Sequence, residues 1–452
     1  METLDKRFAR LGIKIPRIVL PFHAIDLKRW AVVACDQFTS EKKYWEEVEN
    51  FVAASPSALR LILPECFLKE KDTPKRIRTI HKEMKKYLNN GLLVEYEPAF
   101  ILVKRDTPLS PPRWGLMAAL DLEYYDFSAS SKSIIRPTEG IIHGRLPPRV
   151  KIRRDAPLEL SHIIVLIDDP WMSIIEKLAE EAETLEKIYD FDLMMNSGHL
   201  TGYRLHDDKH LHLIVSGMEK LADPAYFRKR YASEDLLLFA VGDGNHSLAT
   251  AKSIWERIKL KNTGDPAIMD NPARWALVEL VNIYSQGLIV EPIHRVLFNV
   301  DPAIFFQELK QGREVTVQEL LSFNALENRL EKHITKPGSH VIGFVMPGKQ
   351  GLITVHKPSS RIATGIFQPI LDIYLKNHPE SSVDYIHGVT TVENLGRRDG
   401  NMGLIFPPID KSQLFQTIIS EGVLPRKTFS IGRAQEKRFY VEARKIVNCL
   451  FT

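Results

Sequence analysis

One stretch limits the possible folds more than any other. Leu236-Leu237-Leu238-Phe239-Ala240-Val241 runs into Gly242-Asp243-Gly244-Asn245-His246-Ser247 and on into Leu248-Ala249-Thr250-Ala251-Lys252. The apolar run reads as a buried strand, and the residues after the second glycine favour a helix. Asp243, Asn245, His246 and Ser247 therefore stand where a strand meets the first turn of a helix. The N–H groups of that turn have no partner inside the helix and suit an anion. Gly242, Gly244, Asn245, His246 and Ser247 are thus candidate phosphate contacts. Asp243 is a candidate metal ligand or acceptor of a hydroxyl proton. The same residues also serve a plain N-capped turn after a strand.

A chain of 452 residues exceeds one small core. We divide it into an N-terminal α/β region (1–130), a core region with a basic loop and the Asp-Gly-Asn-His motif (131–300), and a C-terminal α+β region (301–452). The formal net charge of +4 lacks the concentrated basic face that nucleic acid requires. Cys35, Cys66 and Cys449 have no Cys-x-x-Cys spacing, which points away from a zinc knuckle or disulfide framework and suits a reducing, cytoplasmic setting. No run approaches the ~20 apolar residues of a membrane span. The composition leaves the oligomeric state open.

Along the chain, Arg17–Leu20 and Trp30–Ala34 read as strands, with Asp36 following the second. A helix is expected over Glu41–Ala54, capped by Thr39 or Ser40, and a basic amphipathic helix over Lys75–Leu88. Ala99–Val103 and Trp114–Leu122 read as paired strands. Between Ile134 and Arg154, five Arg and one Lys alternate with three Pro. That density predicts an irregular loop, whose Arg136 and Arg145 suit phosphate oxygens, with Glu139 and His143 interleaved. Leu160–Ile167 reads as a buried strand and Trp171–Tyr189 as an acidic helix. Gly202–Val215 reads as a hairpin in which His206, Asp208, His210 and His212 offer a metal set. A helix is expected over Pro272–Ile283. A strand ending at Pro292 then delivers His294 and Arg295. Helices are expected over 301–335, a hairpin over 340–356, a helix over 363–377, and strands at 384–388 and 403–406. Lys427 sits near the end beside Thr428. Helices and strands mix without strict alternation, so the fold class is α+β, with mixed sheets and flanking helices.

Five segments resemble the family numbered 1015 among the domains of unknown function. They are Ile25–Ser40, Arg136-Pro137-Thr138-Glu139, Gly242-Asp243-Gly244-Asn245-His246, Glu291-Pro292-Ile293-His294-Arg295 and Leu424-Pro425-Arg426-Lys427-Thr428. Most relatives carry Asp-Gly-His-His-Arg at the third segment. Here Asn245 replaces a His and Ser247 an Arg, which marks a divergent branch. The Asp-Gly-His signature is in turn similar to that of free-serine kinases related to the partition protein ParB and sulfiredoxin. That resemblance implies a ParB/sulfiredoxin-like core around the motif, with ATP or ADP held at the loop–helix junction, Mg²⁺, and phosphorylation of the serine hydroxyl. The expected roles follow. Asp36, Glu139 and Asp243 would do acid–base or Mg²⁺ work. Arg136, Arg145, His294, Arg295 and Lys427 would neutralise phosphate. The function expected is a nucleotide-dependent kinase for a small hydroxyl compound, free L-serine first. Two alternatives are a nucleotide-binding regulator without kinase activity and a metal-dependent hydrolase built on His206, His210 and His212.

Overall fold

The computed structural model describes residues 2–108, 110–332 and 338–447, so Cys449 lies outside the described residues. The chain forms two compact units, residues 1–289 with 432–452, and residues 290–431. Both mix helices with sheets, and the protein is α+β.

The first unit is organised by a nine-stranded sheet. Its principal strands are β1 (Phe100–Asp106), β2 (Arg113–Asp121), β3 (Ile135–Pro137), β4 (Ile164–Ile167), β5 (Glu186–Asp192), β6 (His199–Leu205), β7 (Phe239–Asp243) and β8 (Trp275–Asn282), in spatial order β5-β6-β1-β2-β8-β4-β7-β3. The short strand Ile13–Lys14 pairs with β2. Strands from 1–130 and 131–300 thus interleave in one sheet. Alternation along the strands builds a core on each face. Phe100 and Leu102 join one apolar cluster and Ile101 and Val103 the other, as Ala276, Val278 and Leu280 oppose Leu277. β7 runs parallel to β3 and antiparallel to β4, and its register slips between Val241 and Asp243. That slip is a bulge at Gly242, after which Asp243 still pairs with Ile164 before the chain turns into the helix.

Several expectations change here. Pro272–Ile283 is strand β8: a short apolar run has no polar face to mark its period, and Trp275–Asn282 is buried throughout. The presumed second hairpin strand is a helix, Asp208–Leu221, capped by Asp207, whose side chain accepts from the His210 N–H. Leu211, Ile214, Val215, Met218 and Leu221 form its buried stripe, a helical spacing that outweighs the short His-Leu-His alternation. The acidic helix shrinks to Ile175–Glu180, and Glu186–Asp192 becomes strand β5. The basic loop contains a helix, Leu146–Arg153, because Pro147 and Pro148 occupy its first turn, where their missing N–H costs nothing. The helix Lys42–Val52 has Glu41 at its N-cap with no side-chain cap bond, so neither Thr39 nor Ser40 caps it. The Thr73–Asn89 helix, α1, buries Ile80, Met84 and Tyr87.

The second unit holds a six-stranded antiparallel sheet in the order Val315–Glu319, Lys349–His356, Ser339–Met346, Asn401–Ile405, His294–Phe298, Ser382–Ile386. Val315–Glu319 is a strand inside the span expected as helical. The expected hairpin and the helix Ala363–Asn377 are present. No helix among the described residues is long and apolar enough to cross a membrane.

Candidate functional site

The motif occupies the junction of β7 with the helix Asn245–Lys261 (α2). Gly244 is the turn, at φ +76°, and its own N–H donates to Asp243 Oδ1 at 2.9 Å. A Cβ on Gly244 would lie 3.0 Å from the Ile163 Cα. Left-handed backbone and close approach to a neighbouring chain both demand glycine. Gly244→Ala is expected to lose about 1–3 kcal/mol of stability in the first unit. All six tryptophans lie in that unit, so urea unfolding followed by tryptophan fluorescence reads it directly. An unshifted midpoint would contradict the steric argument.

The charges around this turn come from distant parts of the chain. Residues 432–447 return to the first unit and pair with its start: Phe439 opposes Val33 and Tyr440 opposes Val32. That pairing delivers Lys437, whose Nζ lies 2.9 Å from Asp243 Oδ2. It also seats the Tyr440 hydroxyl, which accepts from the Cys35 N–H at 3.2 Å and lies 2.8 Å from His162 Nδ1. His162 precedes β4, and its Nε2 stands 3.1 Å from Ser247 Oγ and 3.9 Å from Asp36 Oδ2. Tyr440, His162 and Ser247 form a continuous polar chain ending at α2. Burial acts to raise the Asp36 carboxyl, but His162, the Gln37 amide, Lys437 and Arg149 outweigh it and hold Asp36 below its ordinary value. Arg149 pairs with Glu65 and also donates to the Arg145 carbonyl at 2.7 Å. Burial, against the pull of Arg149, raises the Glu65 carboxyl. Burial pushes the Cys35 thiol up to about 12.

Beside this chain lies a cavity of about 130 Å³. One end carries Cys35, Glu65, Arg149, His162, Ser247 and Tyr440, and its walls combine Leu, Ile, Met and Ala with Arg153, Glu159, Ser161 and Thr250. In the first turn of α2, the Asn245 Oδ1 is buried with no hydrogen-bond partner among the described residues.

The structure gathers Asp36, Asp243, Gly244, Asn245 and Ser247 into this region. Gly242 forms the bulge. His246 accepts at Nε2 from the Ile142 N–H, 3.2 Å away, so the Gly140–Arg145 loop folds onto the motif with Arg145 exposed. Glu139 follows the segment in which Thr138 bonds to the Val241 carbonyl. Arg136 does not join them. It is buried, and its guanidinium donates to the carbonyls of Ser133, Asp235 and Leu236. His294, Arg295 and Lys427 belong to the second unit. There Arg295 is fully buried, held by the Gln368 Oε1 and Ile293 carbonyl, with its guanidinium 4.6 Å from the Phe406 ring centroid. Lys427 is exposed, at φ 57°. Sequence reading missed His162, Lys437, Tyr440 and Arg149. The only local signal was the Lys437-Arg438-Phe439-Tyr440 run, two cations entering an aromatic strand.

Asp243 spends one oxygen on the Lys437 ammonium and the other on the Gly244 N–H, which is the donor set of an ion pair and does not fit protein-held Mg²⁺. His210 is bonded to Asp207 and Glu181, and His212 to the Asp208 carbonyl, on a helix instead of one strand face. Among the described residues, no three His, Cys, Asp or Glu are grouped to hold a metal ion.

Fold and site together define an α+β protein with a glycine-hinged strand–helix junction, its flanks charged by the returning chain end. The chain belongs to the family described as "Protein of unknown function (DUF1015)", whose model matches residues 19–374. It is similar to a solved free serine kinase in complex with AMP, at 10% identity and TM-score 0.37, covering 73% of this chain and 91% of that one. A variant of that kinase in complex with ADP matches at 10% identity and TM-score 0.38, covering 76% and 95%. A conserved hypothetical protein from Pyrococcus furiosus matches at 10% identity and TM-score 0.35, covering 73% and 95%. No curated protein matches the chain.

Proposed function

We propose that the protein binds a nucleotide at the start of α2 and transfers its terminal phosphoryl group to a small hydroxyl compound, free L-serine being the simplest to try. The observation carrying this reading is the meeting of Lys437, His162 and Asp36 at a glycine-hinged helix N-terminus, although the motif itself supplies only Asp243. Phosphoryl transfer asks mainly for positioning and charge neutralisation. The amides of the first turn and the Lys437 ammonium supply both. The acceptor oxygen attacks the terminal phosphorus while the bond to the bridging oxygen breaks. The hydroxyl proton passes to His162 Nε2, directly or through Ser247 Oγ. The ionised Asp36 then stabilises the imidazolium. The orphaned Asn245 Oδ1 would accept from a hydroxyl or amine of the bound ligand.

The test is a thermal-shift series with ATP, ADP and AMP on wild type and Lys437→Met. At a hundredfold its dissociation constant a nucleotide adds ~2.7 kcal/mol, which raises the midpoint by several degrees. Wild type is expected to respond, and Lys437→Met to lose at least tenfold in affinity. No response in wild type, or equal affinity in the variant, overturns the reading.

A further inference from the structure

The cavity beside His162 has a largely aliphatic lining. Its walls include Leu61, Leu63, Met84, Ile152, Ala156 and Leu158, with the Arg153–Glu159 pair, Ser161 and Thr250 among them and the His162 end polar. An engineered cavity of about 150 Å³ takes benzene, so about 130 Å³ accommodates roughly six carbons. Ser247 Oγ and His162 Nε2, 3.1 Å apart, stand at its polar end, and Ser247 also belongs to the first turn of α2. Free serine, with one methylene, would leave the aliphatic walls uncovered.

We infer that the acceptor is an alcohol bearing an apolar body of about six carbons, buried in this cavity with its hydroxyl at Ser247 and His162. The reaction assigned to it rests on the phosphoryl-transfer reading, whereas the binding rests on the cavity alone. The alcohol oxygen bonds to phosphorus, the bond to the nucleoside diphosphate oxygen breaks, and the proton goes to His162. A buried methylene is worth about fourfold in affinity. Arg149 and Glu65 answer each other, so the head group needs no net charge.

Calorimetric titration of the full chain with linear primary alcohols from ethanol to octanol, and with L-serine, tests this. Affinity should rise about fourfold per methylene and level off near six carbons, with L-serine at least a hundredfold weaker than hexanol. Ala156→Leu, which fills the cavity, should move the plateau to shorter alcohols. Leu68→Ala, which widens it, should move the plateau to longer ones and keeps the test decisive if the filled variant fails to fold. A flat series, a plateau unmoved by these variants, or serine binding as tightly as hexanol overturns the inference. Alcohol binding with no response to ATP would overturn the phosphoryl-transfer reading and leave the cavity assignment standing. An ATP response with a flat alcohol series would do the reverse.

Discussion

Arg438→Met is expected to cost the first unit about 3–5 kcal/mol, the range for removing one partner of a buried charge group. Arg438, Glu279 and Glu442 have side chains only 4%, 1% and 1% exposed. The guanidinium reaches Glu279 Oε2 at 2.6 Å, pairs with Glu442, and donates through Nε to the Ser161 carbonyl at 2.9 Å. Burial acts to raise the Glu279 carboxyl, but Arg113 and Arg438 outweigh it and hold it below its ordinary value. A carboxyl depressed in the folded state stabilises fully above its unfolded value of about 4.5 and loses that contribution as pH falls further. Without Arg438 the sign reverses. Glu279 then keeps only Arg113 as a cationic partner, so its burial weighs toward protonation, and the variant should regain stability on mild acidification while wild type does not. Urea midpoints by tryptophan fluorescence at pH 7 and pH 5 read both effects. Adding Glu279→Gln to the variant should recover part of the loss. A loss under about 1 kcal/mol, or one independent of pH, would show that solvent already reaches this network.

The second large effect concerns His294. The structure buries it in the second unit, where its Nδ1 accepts from the Phe406 N–H at 3.2 Å. Burial, helped by Arg295 and His387, lowers it to about 4. An imidazolium would turn a second N–H toward the Phe406 amide. The unfolded chain takes up this proton near pH 6.5 and the folded chain only near pH 4. Stability is therefore intact above pH 6.5, declines as pH falls, and stops declining below about 4, a total of about 3 kcal/mol. Hydrogen exchange at the Phe406 amide, corrected for the intrinsic rate at each pH, follows the loss locally. His294→Gln keeps an acceptor without the titration and should flatten the profile between pH 6.5 and 4. An unchanged profile in that variant, or an imidazole titrating near 6.5 by NMR, contradicts the assignment.

Local pattern and long-range closure contributed differently. The strand–turn–helix at Phe239–Lys261 was legible because its cause is local: an apolar run, a glycine at positive φ, then helix-forming residues. The pairing of β1 with β2 and the helices Thr73–Asn89 and Ala363–Asn377 were legible for the same reason. Trp275–Asn282 was not, since a strand buried on both faces carries no period to distinguish it from a buried helix. At Arg136 and Arg295 the sequence is ambiguous, because a cation near a motif looks alike whether it awaits a phosphate or anchors backbone carbonyls. Only burial and partners separate the two.

What the amino-acid order determined alone was thus the turn that presents Asp243 and Ser247 at a helix terminus. Which charges face that turn was decided by tertiary structure. Tyr440 bonds to the Cys35 amide across 405 residues of chain, and Lys437 meets Asp243 across 194. Contacts that distant depend on how the returning segment pairs in the folded unit, and the local sequence marks only the Lys437-Arg438-Phe439-Tyr440 run.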